Sequence, residues 1–199
     1  MKKLNTAAIA TAAIFGACAL VHIPYNILSR VGVIARTPAW NTAITFIGIA
    51  ICLAEVVFFA LMLRSKAPTK CIKWPVAMVM IVPAISALVR MGGYWAKTCG
   101  GGFAEWWNSG ADVVSTMSLG ASAWAVVWLL VLAFCFGRGS MARVMSFVAA
   151  YETLLNLVVW NIATLAAMVT PTIYTLILVQ YYIVWPLFYI AIGRYYKSK

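Results

Sequence analysis

Long apolar runs separated by short polar breaks make up most of the chain. Each run is long enough to cross a bilayer as a helix, which takes about 20 residues. The breaks carry Arg, Lys, Gly and Pro, which end helices or require contact with water. The pattern predicts an all-α, polytopic transmembrane bundle forming one domain. Its six spans are expected at about 6–28, 41–63, 72–90, 113–136, 144–169 and 172–193.

Composition strengthens this prediction. Hydrophobic residues make up 65% of the 199 positions and charged residues only 10%. Soluble domains have about 45–50% apolar and about 25% charged residues. The composition therefore indicates an integral membrane protein, and six spans leave no length for a separate soluble domain.

The first apolar run has a second interpretation, since it also resembles a secretory signal peptide. Lys2 and Lys3 precede an apolar stretch, and Ala17, Cys18 and Ala19 would form a small-residue cleavage site. However, the apolar run continues to Leu28, which makes it long enough to span. We expect it to be retained as the first helix.

The basic residues predict the orientation. If the N-terminus is cytoplasmic, only four of the 15 Lys and Arg residues fall in outer segments, and these are Arg30, Arg36, Arg90 and Lys97. Cytoplasmic segments of membrane proteins carry the excess of basic residues. We therefore expect both termini to be cytoplasmic. The net charge of +11 is then explained by topology and by membrane lipids with anionic headgroups, without a nucleic-acid partner. The sequence has no N-x-S/T sequon, which favours a prokaryotic cytoplasmic membrane.

Two glutamates lie within the spans and need an explanation. Glu55 is nine residues before Arg64, and Glu152 is nine residues after Arg143, so both are expected about 13 Å from the cytoplasmic boundary. A charge facing lipid costs at least about 2.5 kcal/mol, so the two side chains should face other helices or a cavity. Each glutamate lies on a stripe of polar, small or aromatic residues at helical spacing. These stripes are Thr45, Gly48, Cys52 and Glu55, and Ala149, Glu152, Asn156 and Trp160.

Two roles are open for these carboxyl groups. They could bind a cationic or hydrogen-bonding solute, or carry a proton. Alternatively, each could be hydrogen-bonded across a helix interface and serve only to hold the bundle together. The neighbouring polar residues make Glu152 the stronger candidate, and the sequence does not show whether the two helices are neighbours.

The segment 90–112 is expected to be an outer loop. It contains six glycines and several aromatic residues, too many glycines for a regular helix and too many aromatics for a solvated linker. One interpretation is an interfacial anchor at headgroup level. The other is a lid over an outward-facing cavity, in which Trp95, Trp106 and Trp107 stack on a solute and Arg90 or Lys97 attracts an anionic group. Residues from Glu105 onwards could begin a short amphipathic helix.

Histidine and cysteine place limits on metal sites. His22 is the only histidine, so no metal site is expected, and the identity of any cofactor stays open. The five cysteines form no CxxC pair, and no intrachain disulfide is expected across the outer surface. The cysteines within spans are expected to pack. On the sixth span, Gln180, Tyr181, Trp185 and Tyr189 are candidates to line a pocket.

Three functions remain open. No common catalytic motif is present, so binding or transport of a small solute is favoured over an enzyme. The alternatives are an accessory subunit of a larger membrane complex or a homo-oligomer, and an intramembrane acid–base enzyme acting on a lipid-like substrate. The enzyme would need Glu55 and Glu152 within about one water of a common point.

In outline the chain resembles the substrate-binding membrane subunits of energy-coupling-factor vitamin transporters. The shared features are about six helices in a chain of this length, both ends inside, and an Ala-rich first helix. That resemblance implies binding of a small solute and docking to a partner. It covers no substrate-binding motif, and the very short connection after the fifth span departs from the family's outer loop, so no residue roles follow from it.

Overall fold

A computed structural model describes residues 2–35, 37–66, 68–162 and 168–197, without the side chains of residues 2, 111–115, 117, 118 and 160. Within this part of the chain the fold is all-helical, with seven helices and no strand. We number them in chain order: α1 Lys2–Arg30, α2 Pro38–Arg64, α3 Lys70–Cys99, α4 Gly101–Ser109, α5 Ala111–Cys135, α6 Met141–Asn161 and α7 Pro171–Lys197.

Most of these helices have the length and apolarity of membrane spans. Five of them, α1, α2, α3, α6 and α7, are long and apolar enough to cross a bilayer. Helix α5 adds a shorter apolar stretch over Leu119–Cys135. This agrees with the integral membrane class predicted from the sequence.

The six long helices form a closed ring in the order of the chain. Each packs against the next, with α3 followed in the ring by α5, and α7 closes the ring against α1. The short helix α4 packs mainly on α3. Because α2 and α6 lie on opposite sides of the ring, their backbones do not contact each other within the described residues.

The contact between α1 and α7 is the most extensive in the bundle. At its tightest point a Cβ atom on Gly193 would lie 2.6 Å from Cβ of Ala8 and 3.3 Å from Cα of Asn5. Two small residues therefore allow the backbones to approach closely, as in many membrane helix pairs. His22 contacts Tyr182 near the other end of the pair, so the two helices are antiparallel.

Aromatic side chains from α7 fill the middle of the ring. Phe188 and Tyr189 are fully buried and pack against Phe58 and Phe59 of α2. Phe15 of α1 lies 5.8 Å from the Tyr189 ring, measured between centroids. The contacts with Phe58 and Phe59 join α7 to α2, although the backbones of these two helices do not contact each other within the described residues.

The third helix differs from the sequence expectation. It was expected to end at residue 90 and to be followed by a loop to residue 112, but α3 continues to Cys99 and α4 follows at once. The indole ring of Trp107 explains the glycine at position 92, because a Cβ there would lie 2.2 Å from that ring. Packing of α4 on α3 therefore outweighs the low helix propensity of glycine, about 1 kcal/mol per residue.

The end of the fifth expected span falls partly outside the described residues. Helix α6 begins at Met141 and ends at Asn161, whereas the apolar pattern extended to about residue 169. Its N-terminus is capped by Ser140, whose side chain accepts a hydrogen bond from the Arg143 backbone N–H at 3.3 Å. Residues 163–167 lie outside the described part of the chain.

Candidate functional site

A cavity of about 520 Å³ lies inside the ring, between α3, α5, α6 and α7. This volume is within the range of about 300–1,000 Å³ that is usual for small-molecule sites. The lining combines one cation, one carboxyl group, several hydroxyl and amide groups, and aromatic rings. The lining residues are Arg90, Ser122, Glu152, Thr153, Asn156, Tyr174, Ile177, Leu178, Tyr181 and Trp185.

Glu152 is held in this cavity by two donors. Only 2% of the residue is exposed. Its Oε1 accepts a hydrogen bond from the amide of Asn156, one turn later on the same helix, and its Oε2 accepts one from the indole N–H of Trp185 at 3.0 Å. The carboxyl group thus has one donor from α6 and one from α7, which fix its orientation.

Glu55 has a different environment. It is buried, and its Oε1 accepts a hydrogen bond from the Tyr189 hydroxyl at 2.8 Å. It does not line the cavity that contains Glu152. The acid–base pair that an intramembrane enzyme would need is therefore not assembled around that cavity.

Helix α7 connects the two glutamates. Trp185 and Tyr189 are four residues apart on this helix, and each donates to one carboxyl group. Because four residues rise about 6 Å along a helix, the two donors are one turn apart in depth. The carboxyl groups of Glu55 and Glu152 therefore both bind side chains of α7, although α2 and α6 are not neighbours.

Arg90 of α3 is exposed, and its guanidinium reaches α2. A Cβ atom on Gly48 would be 2.6 Å from a guanidinium nitrogen of Arg90, so the missing side chain at Gly48 makes room for this cation. Arg90 lines the cavity of Glu152 and also a second cavity of about 500 Å³ between α2 and α3. The second cavity is also lined by Asn41, Thr45 and Lys97.

A third, smaller cavity of about 190 Å³ adjoins the other two. It shares Tyr174 with the first and Asn41 with the second, and it is also lined by His22 and Arg30. The Arg30 guanidinium lies 4.0 Å above the centre of the Tyr174 ring. Arg30 of α1 and Arg90 and Lys97 of α3 therefore line cavities at the same end of the bundle.

His22 has a structural partner. Its Nδ1 shares a hydrogen bond of 2.9 Å with the Tyr182 hydroxyl, and the two rings are nearly perpendicular. This contact is part of the interface between α1 and α7. His22 therefore combines packing between helices with a position on the wall of the smallest cavity.

Several residues singled out in the sequence lie away from the three cavities. Trp95 and Trp106 are exposed, with 53% and 66% of their surface accessible. Trp107 packs on Gly92 and near Phe103. These three tryptophans do not line the cavity of Glu152, and neither does Gln180, which is half-buried on α7. The side chain of Trp160 lies outside the described part.

Sequence reasoning did not single out Arg30, Ser122, Thr153 and Tyr174 as cavity residues. Thr153 follows Glu152 directly, but periodicity alone does not separate a cavity-lining residue from one that packs. Tyr174 and Arg30 meet across α1 and α7, so their proximity depends on which helices are neighbours. No group of three or more His, Cys, Asp or Glu side chains able to hold a metal occurs among the described residues.

Chemically, this arrangement can orient a polar molecule. The Glu152 carboxyl group accepts hydrogen bonds or pairs with a cation, the Arg90 guanidinium donates to an anion, and the Tyr181 and Trp185 rings provide flat apolar walls.

Neither protein-family models, nor curated proteins, nor solved structures show a significant match to the chain. The function is therefore inferred from the geometry of the cavity alone.

Proposed function

We propose that this protein is a six-span membrane protein that binds or transports a small polar solute in the cavity between α3, α5, α6 and α7. The observation that supports this most directly is the presence of Arg90 and Glu152 in the lining of one cavity. Glu152 is buried and Arg90 is exposed, and two groups of opposite charge in one cavity provide two separate points of attachment.

The charges favour a particular kind of solute. A molecule with an anionic group would place that group near Arg90, and a hydroxyl, amide or ammonium group would donate to Glu152. Trp185 and Tyr181 would cover its apolar part. A small zwitterion or a hydroxylated carboxylic acid meets these requirements, whereas an apolar molecule would form no hydrogen bond with Arg90 or Glu152.

The topology is part of the proposal. Six spans with both termini in the cytoplasm would place Arg30, Arg90 and Lys97 on the outer side of the bundle, because they lie towards the C-terminal ends of α1 and α3. The outer aromatic residues of α3 and α4 would then lie at headgroup level and contact lipid. A prokaryotic cytoplasmic membrane fits this arrangement.

The test is native mass spectrometry of gently purified protein, followed by a thermal-shift screen. The screen would contain small zwitterions, hydroxy acids, amines and neutral amides. We expect a co-purified or added small molecule to remain bound to the wild type and to be lost from Glu152→Gln and Arg90→Gln. Glu105→Gln and Trp106→Ala are matched controls, because Glu105 is an exposed acid on α4 and Trp106 does not line the cavity.

Two results would overturn the proposal. One is the absence of any stabilising molecule across the screen together with the absence of a bound molecule in native spectra. The other is a bound molecule that Glu152→Gln and Arg90→Gln retain as firmly as the wild type. A chain that is isolated only with partner proteins would instead support the accessory-subunit alternative.

A further inference from the structure

Two cysteines meet at the opposite end of the bundle from the cavities. Cys71 lies in the first turn of α3 and Cys135 is the last residue of α5. Their sulfur atoms are 3.0 Å apart, although the residues are 64 positions apart in the chain. A disulfide bond is about 2.05 Å long, so about 1 Å of movement would bring the sulfurs to bonding distance.

A proline explains why the two thiols are close. Pro75 has no backbone N–H, so the carbonyl of Cys71, four residues earlier, lacks its usual donor within α3. The thiol of Cys135 donates to that carbonyl at 3.2 Å. The Cys71 carbonyl of α3 therefore holds the Cys135 sulfur of α5 beside the Cys71 sulfur.

The pair is accessible and its surroundings are basic. Cys71 is exposed and Cys135 is half-buried. Lys70 and Lys73 flank Cys71, and Arg138 follows Cys135 in the chain. A small reagent with carboxylate groups would be attracted to this end of the bundle.

We propose that Cys71 and Cys135 form a redox site, in which a small-molecule disulfide oxidises them to a reversible crosslink between α3 and α5. The thiolate of one cysteine attacks a sulfur of the reagent and releases one thiol, which leaves a mixed disulfide. The second cysteine then attacks the protein sulfur of the mixed disulfide and releases the other thiol. The two protein thiols are oxidised, the reagent is reduced to two thiols, and these take up the two protons.

The crosslink would act on the helices that form the cavity. Arg90 is on α3 and Ser122 is on α5, and both line the cavity of Glu152. Trp124 of α5 already donates a hydrogen bond to the Met78 carbonyl of α3 at 3.1 Å. A covalent bond at the far end of the same pair would limit how far α3 and α5 can separate. The redox reaction itself does not depend on the proposed solute.

The experiment uses the full-length purified protein, first reduced and then treated with increasing oxidised glutathione. Remaining thiols are blocked with iodoacetamide, and peptides are identified by mass spectrometry. We expect a peptide pair joined through Cys71 and Cys135, which disappears when a dithiol is added. Cys99 is an internal reference, because it is exposed and should take up glutathione without forming a crosslink within the chain.

Variants make the result specific. Cys71→Ser and Cys135→Ser should each abolish the joined peptides, whereas Cys99→Ser should leave them unchanged. Two outcomes in the wild type would overturn the proposal. Either Cys71 and Cys135 stay free to react with iodoacetamide at concentrations that modify Cys99, or each carries its own glutathione and no joined peptide forms.

Discussion

The hydroxyl of Tyr189 donates a hydrogen bond to Oε1 of Glu55 at 2.8 Å, although the backbones of their helices, α7 and α2, do not pack directly on each other. The contact is made entirely through side chains that reach across the middle of the ring. Both residues are buried, so each depends on the other for a polar partner.

Replacing this donor should destabilise the fold. Tyr189→Phe keeps the ring and removes the hydroxyl, which leaves a buried oxygen of Glu55 without its donor. The expected cost is about 1–3 kcal/mol in the free energy of unfolding. Unfolding in mixed detergent micelles measures it, and Tyr151→Phe on the exposed face of α6 is the matched control. Equal stabilities for the two variants would show that this hydrogen bond contributes nothing.

Trp185→Phe should weaken solute binding. The substitution keeps an aromatic wall but removes the N–H that orients Glu152. Loss of one hydrogen bond of about 1 kcal/mol corresponds to about a fivefold loss of affinity. Titration of the solute identified by the screen would measure this loss.

Trp124→Phe is the control for that experiment. Its indole also donates one hydrogen bond, to the Met78 carbonyl, but Trp124 does not line the cavity of Glu152. We expect unchanged affinity in this variant. A similar loss of affinity in both tryptophan variants would mean that the effect is general loosening of the bundle.

Some of this site can be predicted from sequence and some cannot. The contact between Glu152 and Asn156 follows from their spacing, since residues four apart on a helix are neighbours. The contact between Glu152 and Trp185 joins residues 33 apart on different helices. It depends on which helices pack together and how each is rotated, and neither property is contained in hydrophobic periodicity.

The difference between local sequence pattern and tertiary packing also explains why the segment after residue 90 is helical. Its glycines argue against a helix by local propensity, because glycine is a poor helix former. At Gly92 the residue is there for packing, since the indole of Trp107 occupies the space of a side chain. The low helix propensity of Gly92 is therefore outweighed by a packing contact with Trp107 of α4, 15 residues later in the chain.

Gly92→Ala should release α4 from α3. The new methyl group would lie within 2.3 Å of two ring atoms of Trp107, so the indole has to move away. We expect faster amide hydrogen exchange over Gly101–Ser109 in this variant. Gly93→Ala is the adjacent control, because its methyl group would be 3.9 Å from the same indole, an ordinary contact. Unchanged exchange in Gly92→Ala would contradict the docking of α4 described above.

Gly193→Ala should push α1 and α7 apart. Its methyl group would meet Ala8 and the backbone of Asn5, neither of which can move without its helix. Overpacking of this kind costs about 1–3 kcal/mol. The midpoint of thermal unfolding should fall accordingly.

Gly16→Ala on α1 provides the comparison, because nothing lies within 4 Å of a Cβ atom placed there. Alanine is the better helix former, so this variant should be as stable as the wild type or slightly more stable. If both glycine variants lower the unfolding midpoint equally, the close approach at Gly193 is not the cause.

The ring order also bears on how the protein assembles. Ribosomes deliver the helices in sequence, and α7 follows the other five long helices. Tyr189 and Trp185, the donors to Glu55 and Glu152, both belong to this last element. Until it is inserted, Glu55 lacks its hydroxyl partner and Glu152 has only the amide from its own helix. The insertion of α7 therefore completes the hydrogen bonding of both carboxyl groups only after the other five long helices have been delivered.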